Sequence, residues 1–567
     1  MKTSLIFLES SAKKKTIQGI LGQEFYIVAT RGHICNLKNS GDYNLGVNLK
    51  TFIPSYEVLL DKKKNLNFWK KLIKENEFQN IFLATDPDRE GEGIAKEIVE
   101  QLHLKENQHK RLVFYEITPY AIREALSNPI KLDNHLVESQ TSRQVLDKMI
   151  GFCISPLLYK KVKALSAGRV QSVVLKMIIE RELNIKEYEK KDKKYFVEGE
   201  GTSSKKKTIK VKQVTDDGSI VIYNSQEEAF KKIENLSLNL EFFKKKEEIK
   251  SYPSRNPFTT SSLLSEARSI LGFSIGQTTK IAQKLYEGVF IKEENISIGL
   301  ITYPRTDSLR INSNFTKSVY NYVEKEWGKE YCNFQPTWKN LKTKHSQEAH
   351  ESIHPTSLNR EPKKLKTSLN CDEYKLYELI FENSLICLMS FAEIKKKSYL
   401  FKTEDNYFSF VENLVNFLGF LIVNPKRYFS IYNIKEKDSL DDSSVLKINK
   451  WEITEYTLGK PTRYNEGTLV KELEKLGIGR PSTYNSFGTI LLKRRYVYLN
   501  EKRQFVPSKL GYDVSDWLQK YFSTIINQEY TASLEDELDK ISKGENDYFN
   551  FIKGFWKEFS KTFKTLE

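Results

Sequence analysis

The chain is 567 residues long, beyond the size at which one hydrophobic core stops growing, so several domains are expected. Hydrophobic residues make up 39% and aromatics 12%, spread along the whole length, which excludes wholesale disorder. Ninety Lys and Arg against 74 Asp and Glu give a formal charge of +16, and lysine triplets stand at 13–15, 62–64, 205–207, 244–246 and 395–397. Any one triplet reads most simply as a solvated surface; together they favour a polyanionic partner such as nucleic acid. The five cysteines, Cys35, Cys153, Cys332, Cys371 and Cys387, form no C-x-x-C pair, so no zinc ribbon or disulfide framework is expected and a reducing cytoplasm fits. No apolar run approaches the ~20 residues of a membrane span, and "MKTSLIFLESSAKKK" is interrupted by Glu9 too early for a signal peptide. A soluble intracellular protein is expected.

In chain order, residues 1–130 alternate "SLIFLES", "KKKTIQGIL", "EFYIVAT", "NIFLAT", "GIAKEIVEQL", "RLVFYEIT" and "PYAIREAL", the pattern of an α/β unit with a mostly parallel sheet. Ile94, Ile98, Val99 and Leu102 share one helical face, so "DPDREGE" occupies the turn between a strand and a helix, where open α/β sheets bind ligands. Residues 131–190 read as helical. From about 194, "KYFVEGEG", "KKTIKVKQV" and "GSIVIYN" alternate with period two, as strands do. A helical block follows at 259–290, strand-like patterns return at 398–432, and helices dominate after Thr468. A β segment left near 250 and re-entered near 395 implies that 257–375 is an insertion. The expected division is therefore 1–130, 131–190 with 435–567, 191–256 with 376–434, and 257–375.

Asp86, Asp88, Glu90 and Glu92 fall within seven residues of a strongly basic chain. Beside a polyanion such a cluster repels unless a cation lies between, and Mg²⁺ takes one or two carboxylates plus water and phosphate oxygens. Asp86 and Asp88, at i and i+2, can project to one side, and Glu9, ending "SLIFLE", can add a third carboxylate from a neighbouring strand. The competing reading is helix N-terminal charge, worth ~0.3–1 kcal/mol per acid, which accounts for Glu90 and Glu92 without metal. On spacing alone the two are balanced. Elsewhere "HESIH" spells H-E-x-x-H with His350, Glu351 and His354, the zinc-protease pattern; Pro355 directly after it and the lack of a marked third ligand oppose that reading.

"LESSAKKKTI" with Glu9 and Lys13, "RGHI" with His33, and "DPDREGE" resemble the Toprim domain of type IA DNA topoisomerases. Five further matches follow in the family's order: "SAGRVQS" at 166–172, "PFTTSSLLSEA" at 257–267, "GLITYPRTDS" at 299–308, "QEAHESIHP" at 347–355 and "GIGRPSTY" at 477–484. They span nearly the whole chain and are more similar to the topoisomerase I branch than to topoisomerase III. The resemblance implies a multidomain α/β + α + β fold, a Toprim domain within a four-domain torus whose β-rich segments form an arch. It implies that Tyr303 attacks a DNA phosphate to form a 5′-phosphotyrosyl bond, with Arg305 on the scissile phosphate, Glu9 as general acid, Lys13 holding the phosphate and His350 nearby. Asp86, Asp88 and Glu90, with Glu9, would hold Mg²⁺. His33, Arg143, Asp147, Arg169, Gln171, His354 and Arg480 would touch DNA, although the family usually has arginine where His354 stands. Gln144 and Phe152 take the places of an arginine and a tyrosine linked to a cytosine preference, which puts that preference in doubt. No phosphate loop occurs, consistent with ATP-independent chemistry.

The implied activity is relaxation of negatively supercoiled DNA at single-stranded segments, by a monomer in the cytoplasm, at the nucleoid. Many relatives carry C-terminal zinc ribbons or basic repeats; without them no zinc is expected, relaxation should be less processive and more salt-sensitive, and "KGFWKEFSKTFKTLE" offers a partial basic substitute. A topoisomerase III-like decatenase, a Toprim nuclease and a cleavage-inactive single-strand-binding protein are the alternatives.

Overall fold

In the computed structural model, residues 4–203, 207–341, 350–435, 440 and 445–566 are described; Lys205 and Lys206 of one triplet, and Gln347, Glu348 and Ala349 of "QEAHESIHP", lie outside them. The apolar run Ser4–Leu8 becomes the inner strand of a parallel sheet, flanked by Phe25–Ala29 and Asn80–Ala84, with His109–Arg111 beyond the latter. Side chains alternate across it: Leu5 and Phe7 pack against Leu66, Trp69, Ile94 and Ile98, whereas Ile6 and Leu8 share a core with Ile17, Phe258, Leu285 and Leu300. Burial of the sheet on both faces explains why the three longer strands are mostly apolar, unlike the edge strand His109–Arg111. The strand expected over "RLVFYEIT" stops at Arg111. There the buried guanidinium turns inward, donating to Glu92 at 2.8 Å and to the Leu83, Thr85 and Asp86 carbonyls at 2.8–3.0 Å.

The helices Asn134–Val162, Arg169–Glu189, Lys509–Phe522, Gln528–Ser542 and Tyr548–Lys564 pack around a second core. The last of these buries Phe551, Phe555, Phe559 and Phe563 on one face and leaves Lys553, Lys557 and Lys561 exposed, so the C-terminal basic segment is first of all a core helix. Among the helices after Thr468 stands one hairpin, Val497–Leu499 with Phe505–Pro507.

Six strands among the described residues, Tyr195–Thr202, Thr208–Val214, Asn239–Tyr252, Ala392–Thr403, Asn406–Phe417 and Leu446–Glu455, pair edge to edge and close into a barrel around Val197, Val211, Phe401, Phe408 and Ile448. Closure removes free sheet edges. Three expectations are corrected here. The division at 435 puts Leu446–Glu455 with the helices, but that strand pairs antiparallel with Tyr195–Thr202. "GSIVIYN" makes only the single bridges Val214–Ile220 and Tyr195–Tyr223. The strand pattern of 398–432 ends at Phe417, and Pro425 opens a short helix, Pro425–Ile431, where its missing N–H is harmless.

The intervening segment contributes Thr260–Glu266 and Ile275–Glu287, separated at Gly272, and then Ser313–Trp327 and Cys371–Ile386. The last helix crosses the expected boundary at 375. This segment meets the parallel-sheet unit backbone to backbone: Gly299 N–H donates to Ile117 O at 2.9 Å and Tyr303 N–H to Tyr115 O at 2.8 Å. A Cβ at Gly299 would lie 2.6 Å from Tyr286 O, so only glycine permits the approach. Among the described residues no helix is long and apolar enough to cross a membrane.

Candidate active site

The acidic turn is built by its own sequence. Asp88 is the N-cap of the helix Arg89–Leu102, its Oδ1 accepting from Gly91 N–H at 2.9 Å. A Cβ at Gly91 would overlap the Asp86 carbonyl, so glycine is required for the turn. Glu92 is buried and accepts from Arg111 and from Asp133 N–H, each at 2.8 Å. The structural reading therefore holds for Glu92, while Asp88 keeps Oδ2 free of the cap.

Onto that oxygen comes Tyr303 from 215 residues away. Its hydroxyl donates to Asp88 Oδ2 at 2.7 Å and lies 3.4 Å from Asp86 Oδ2, and the residue is 2% exposed. Arg305 Nη1 approaches the same Asp88 oxygen at 3.5 Å. Lys13, on the helix Ser11–Leu21, is buried, ion-paired with Asp86, and stands 5.0 Å above the Tyr286 ring. His350 donates from Nε2 to Pro87 O at 2.6 Å, with its ring 6.0 Å from that of Tyr303. Glu9 Oε2 is buried with no hydrogen-bond partner among the described residues.

Burial drives these groups towards their neutral forms. It raises the Glu9 carboxyl, with Asp88 adding to the effect against Lys13 and Arg305. It lowers the Lys13 amine to about 8 despite the Glu9 charge. Tyr303 is held well above the usual phenol range by burial and then by Asp88, with Arg305 opposing. His350 is lowered by burial, so a neutral imidazole faces the site. Asp88 is the exception: burial would raise it, but Arg305, the Gly91 N–H and the Tyr303 hydroxyl bring it below the ordinary value.

Glu90 is turned away from this group. It accepts from His33 at 3.2 Å, with Gln140 at 3.5 Å and Arg143 at 4.0 Å. His33 also meets Glu97 at 2.7 Å; burial opposes its charge, but the two carboxylates raise it to about 10. Glu97 was not singled out from sequence. Its signal is the spacing from Glu90, seven residues along one helix and thus on the same face.

The carboxyl groups of Glu9, Asp86 and Asp88 suit a divalent cation in donor chemistry, and the partnerless Glu9 oxygen is a buried donor atom that such an ion would satisfy. No group of three His, Cys, Asp or Glu among the described residues forms a ready cage. An ion held by one or two carboxylates and completed by water and substrate phosphate needs none.

The other singled-out residues lie to one side. Arg143 pairs with Asp147 at 3.7 Å. Arg169, fully buried, is 3.1 Å from Asp147 and 2.7 Å from Glu535, and Arg480 is 2.6 Å from Asp539. All three arginines expected on DNA are thus ion-paired internally here. Four arginines, at 89, 143, 169 and 480, lower buried Glu535 to about 2 against the upward effect of burial. Glu535 and Asp539 escaped sequence reading because "SLEDELDKIS" looks like an ordinary solvated helix face. Gln171 donates to Ser166 O at 3.4 Å within its own turn, and Gln144 to Asn36 at 3.5 Å. Phe152 is 41% exposed beneath Lys148. His354 does not face Tyr303: it stacks on Phe315 at 4.0 Å and bonds Pro355 O and Glu351. Residues 350–355 are extended rather than helical, so "HESIH" does not present two histidines on one helix face and the zinc-protease reading falls.

A family model for the Toprim domain matches residues 4–117 and one for DNA topoisomerase matches 131–553. DNA topoisomerase 1 of Campylobacter jejuni is 36% identical over 578 residues, covering 99% of this chain and 79% of that protein; DNA topoisomerase 1 of Rickettsia prowazekii is 36% identical over 590 residues, covering 99% and 73%. The full-length topoisomerase I structure from Thermotoga maritima superposes with a TM-score of 0.82 at 34% identity, covering 99% of this chain and 90% of that one. The ordered motifs, the parallel-sheet unit with its acidic turn and these likenesses agree: the chain belongs to the bacterial type IA DNA topoisomerase I family, whose members are DNA-relaxing isomerases.

Proposed function

We propose that Tyr303 is the nucleophile of this topoisomerase, and the observation that carries the reading is its hydroxyl at 2.7 Å from Asp88 beside Arg305, Lys13 and a carboxyl favouring its protonated form, Glu9. The Tyr303 oxygen attacks a DNA phosphorus as its proton passes to Asp88. The bond from phosphorus to the 3′ oxygen breaks, and Glu9 gives that oxygen its proton. A 5′-phosphotyrosyl bond and a free 3′-hydroxyl result, and the reverse sequence reseals the strand and restores both protons, without ATP. Arg305 and Lys13 offset the charge that gathers on the phosphate oxygens, where burial strengthens each ionic contact. His350, neutral and fixed on Pro87 O, shapes the phosphate's surroundings.

Toprim domains are generally associated with a divalent metal ion. We assign Mg²⁺ to Glu9, Asp86 and Asp88, with Glu90 able to join only by leaving His33; when bound, the ion supplies positive charge that keeps a broken end aligned for rejoining. Gate opening is assigned to separation of the Tyr303-bearing segment from the parallel-sheet unit, which breaks the Gly299–Ile117 and Tyr303–Tyr115 hydrogen bonds and opens the core shared by Ile6, Leu8, Phe258 and Leu300, while the barrel stays closed. The working division is 4–130, 131–190 with 456–566, a barrel of 191–256 with 388–455, and a Tyr303-bearing segment of 257–387. Single-stranded segments of negatively supercoiled DNA, held by one monomer in the cytoplasm, are the proposed substrate and setting.

The test uses a single-stranded oligonucleotide labelled at its 3′ end, which remains on the enzyme-linked fragment. The parent chain should carry the label into a protein-sized band on a denaturing gel, and Tyr303→Phe should abolish both that band and relaxation. Cleavage surviving in Tyr303→Phe would identify a Toprim nuclease instead.

A further inference from the structure

Outside the chemistry just described lies a bridge that joins two distant parts of the chain at the edge of the site. The helix Gln528–Ser542 carries Asp539, whose two oxygens serve different arginines: Oδ1 accepts from Arg89 Nη2 at 2.9 Å and Oδ2 from Arg480 Nη2 at 2.6 Å and Nε at 3.2 Å. Arg89 sits between Asp88 and Glu90 in the acidic turn, and Arg480 belongs to "GIGRPSTY". Both arginines are 5% exposed. Arg480 is further fixed by the Gly477 and Gly479 carbonyls at 3.0 and 2.7 Å, and Ser139, beside Arg89, donates to Leu538 O at 2.8 Å.

The bridge walls a small cavity of about 40 Å³ whose lining also includes Asp88, Arg305, His350 and Ser482. That volume accommodates a few waters at most and no nucleotide. A strand reaching Arg305 from this side therefore enters only if the walls part. Three arginines line the cavity together with Asp88, Asp307 and Asp539, and the last of these occupies the place between Arg89 and Arg480, making the two-oxygen, charge-assisted contacts that a phosphodiester makes with guanidinium groups.

We propose that Asp539 is a positioning residue that latches the strand cleft shut in the DNA-free enzyme, standing in for a backbone phosphate, and that DNA entry transfers Arg89 and Arg480 from Asp539 to the strand. The proposal rests on the reading of this cleft as the DNA path. Removing the carboxylate takes from two buried arginines their nearest counter-charge in the free enzyme, leaving Glu535 and, for Arg480, Asp536 at 3.7 Å, and a DNA phosphate replaces what was lost. The free state is destabilised more than the bound one, so affinity rises.

The test is performed in a Tyr303→Phe background, so that binding is read without cleavage, by fluorescence anisotropy of a labelled single-stranded oligonucleotide across a salt series. Asp539→Asn should bind about three- to tenfold more tightly, with the slope of log K against log salt steeper by about one, because no cation is taken up by a released carboxylate. Asp539→Glu, which keeps the charge, should return towards the parent affinity. Adding Arg89→Gln to Asp539→Asn should remove the gain. Unchanged or weaker binding by Asp539→Asn overturns the proposal, since a merely structural bridge gains nothing when broken. Should the Asn variant not fold, the parent chain alone decides: an observed association rate that levels off with oligonucleotide concentration is the mark of a latch that must open first, and a rate linear throughout overturns it. The covalent-adduct assay with Tyr303 intact reports on the nucleophile assignment separately.

Discussion

Two clusters bury ionisable groups where distant parts of the chain meet, and they resolve the cost of burial in opposite directions. Around Tyr303, Glu9 is raised, Lys13 lowered to about 8, and the phenol raised, so the proton-exchanging groups sit towards neutrality. Around Glu535 the carboxylate is lowered to about 2 and both Arg169 and Arg480 are raised, so these three stay charged. The difference follows from guanidinium content. Four arginines surround Glu535, whereas near Tyr303 the permanent charge of Arg305 is shared with a titratable lysine. Near Tyr303 the groups that sit towards neutrality can exchange protons, and ionised Asp88 is in direct contact with the phenol proton it receives, whereas the ionised groups around Glu535 hold one another in place.

Substitutions should separate the clusters, the largest effect falling at the first. Glu9→Gln keeps the shape of a protonated carboxyl but cannot give up a proton, so single-turnover cleavage, timed by adduct formation after rapid quenching, should slow by about 10²–10⁴-fold. Its thermal midpoint should stay near that of the parent; a cleavage rate unchanged within error would break the contrast. Next comes Glu535→Ala, which strands arginines in the interior and should remove about 3–5 kcal/mol of stability in urea unfolding. Parent-like unfolding would show that the arginines find other partners.

Acid titration sharpens the same point. Because the folded carboxyl of Glu535 is depressed from 4.5 to about 2, its contribution is present above about 4.5 and is lost as pH falls through the interval down to about 2. Unfolding free energy measured over that interval should fall less steeply in Glu535→Gln than in the parent. The smallest effect is expected at Ser139→Ala, which removes a 2.8 Å hydrogen bond to Leu538 O and should reduce stability by about 1 kcal/mol, measured in the same urea experiment.

The α/β unit was legible because its strands and helices carry local periodicity, and the turn "DPDREGE" because glycine and a capping aspartate act over a few residues. The barrel was only half legible. Tyr195–Thr202 and Thr208–Val214 alternate as strands should, but the return of Leu446–Glu455 to pair with the first of them is a contact across about 250 residues that no local pattern encodes.

By itself the sequence determined the parts: the acids, the tyrosine and its arginine, the family order of motifs and the parallel sheet. The tertiary structure alone decided their use. It set the Tyr303 ring in a core with its hydroxyl on Asp88, turned Glu90 towards His33 and His354 towards Phe315, and committed Arg169 and Arg480 to Glu535 and Asp539. The reason is physical: capping and periodicity act over a handful of residues, whereas burial and charge pairing depend on which distant surfaces exclude water together.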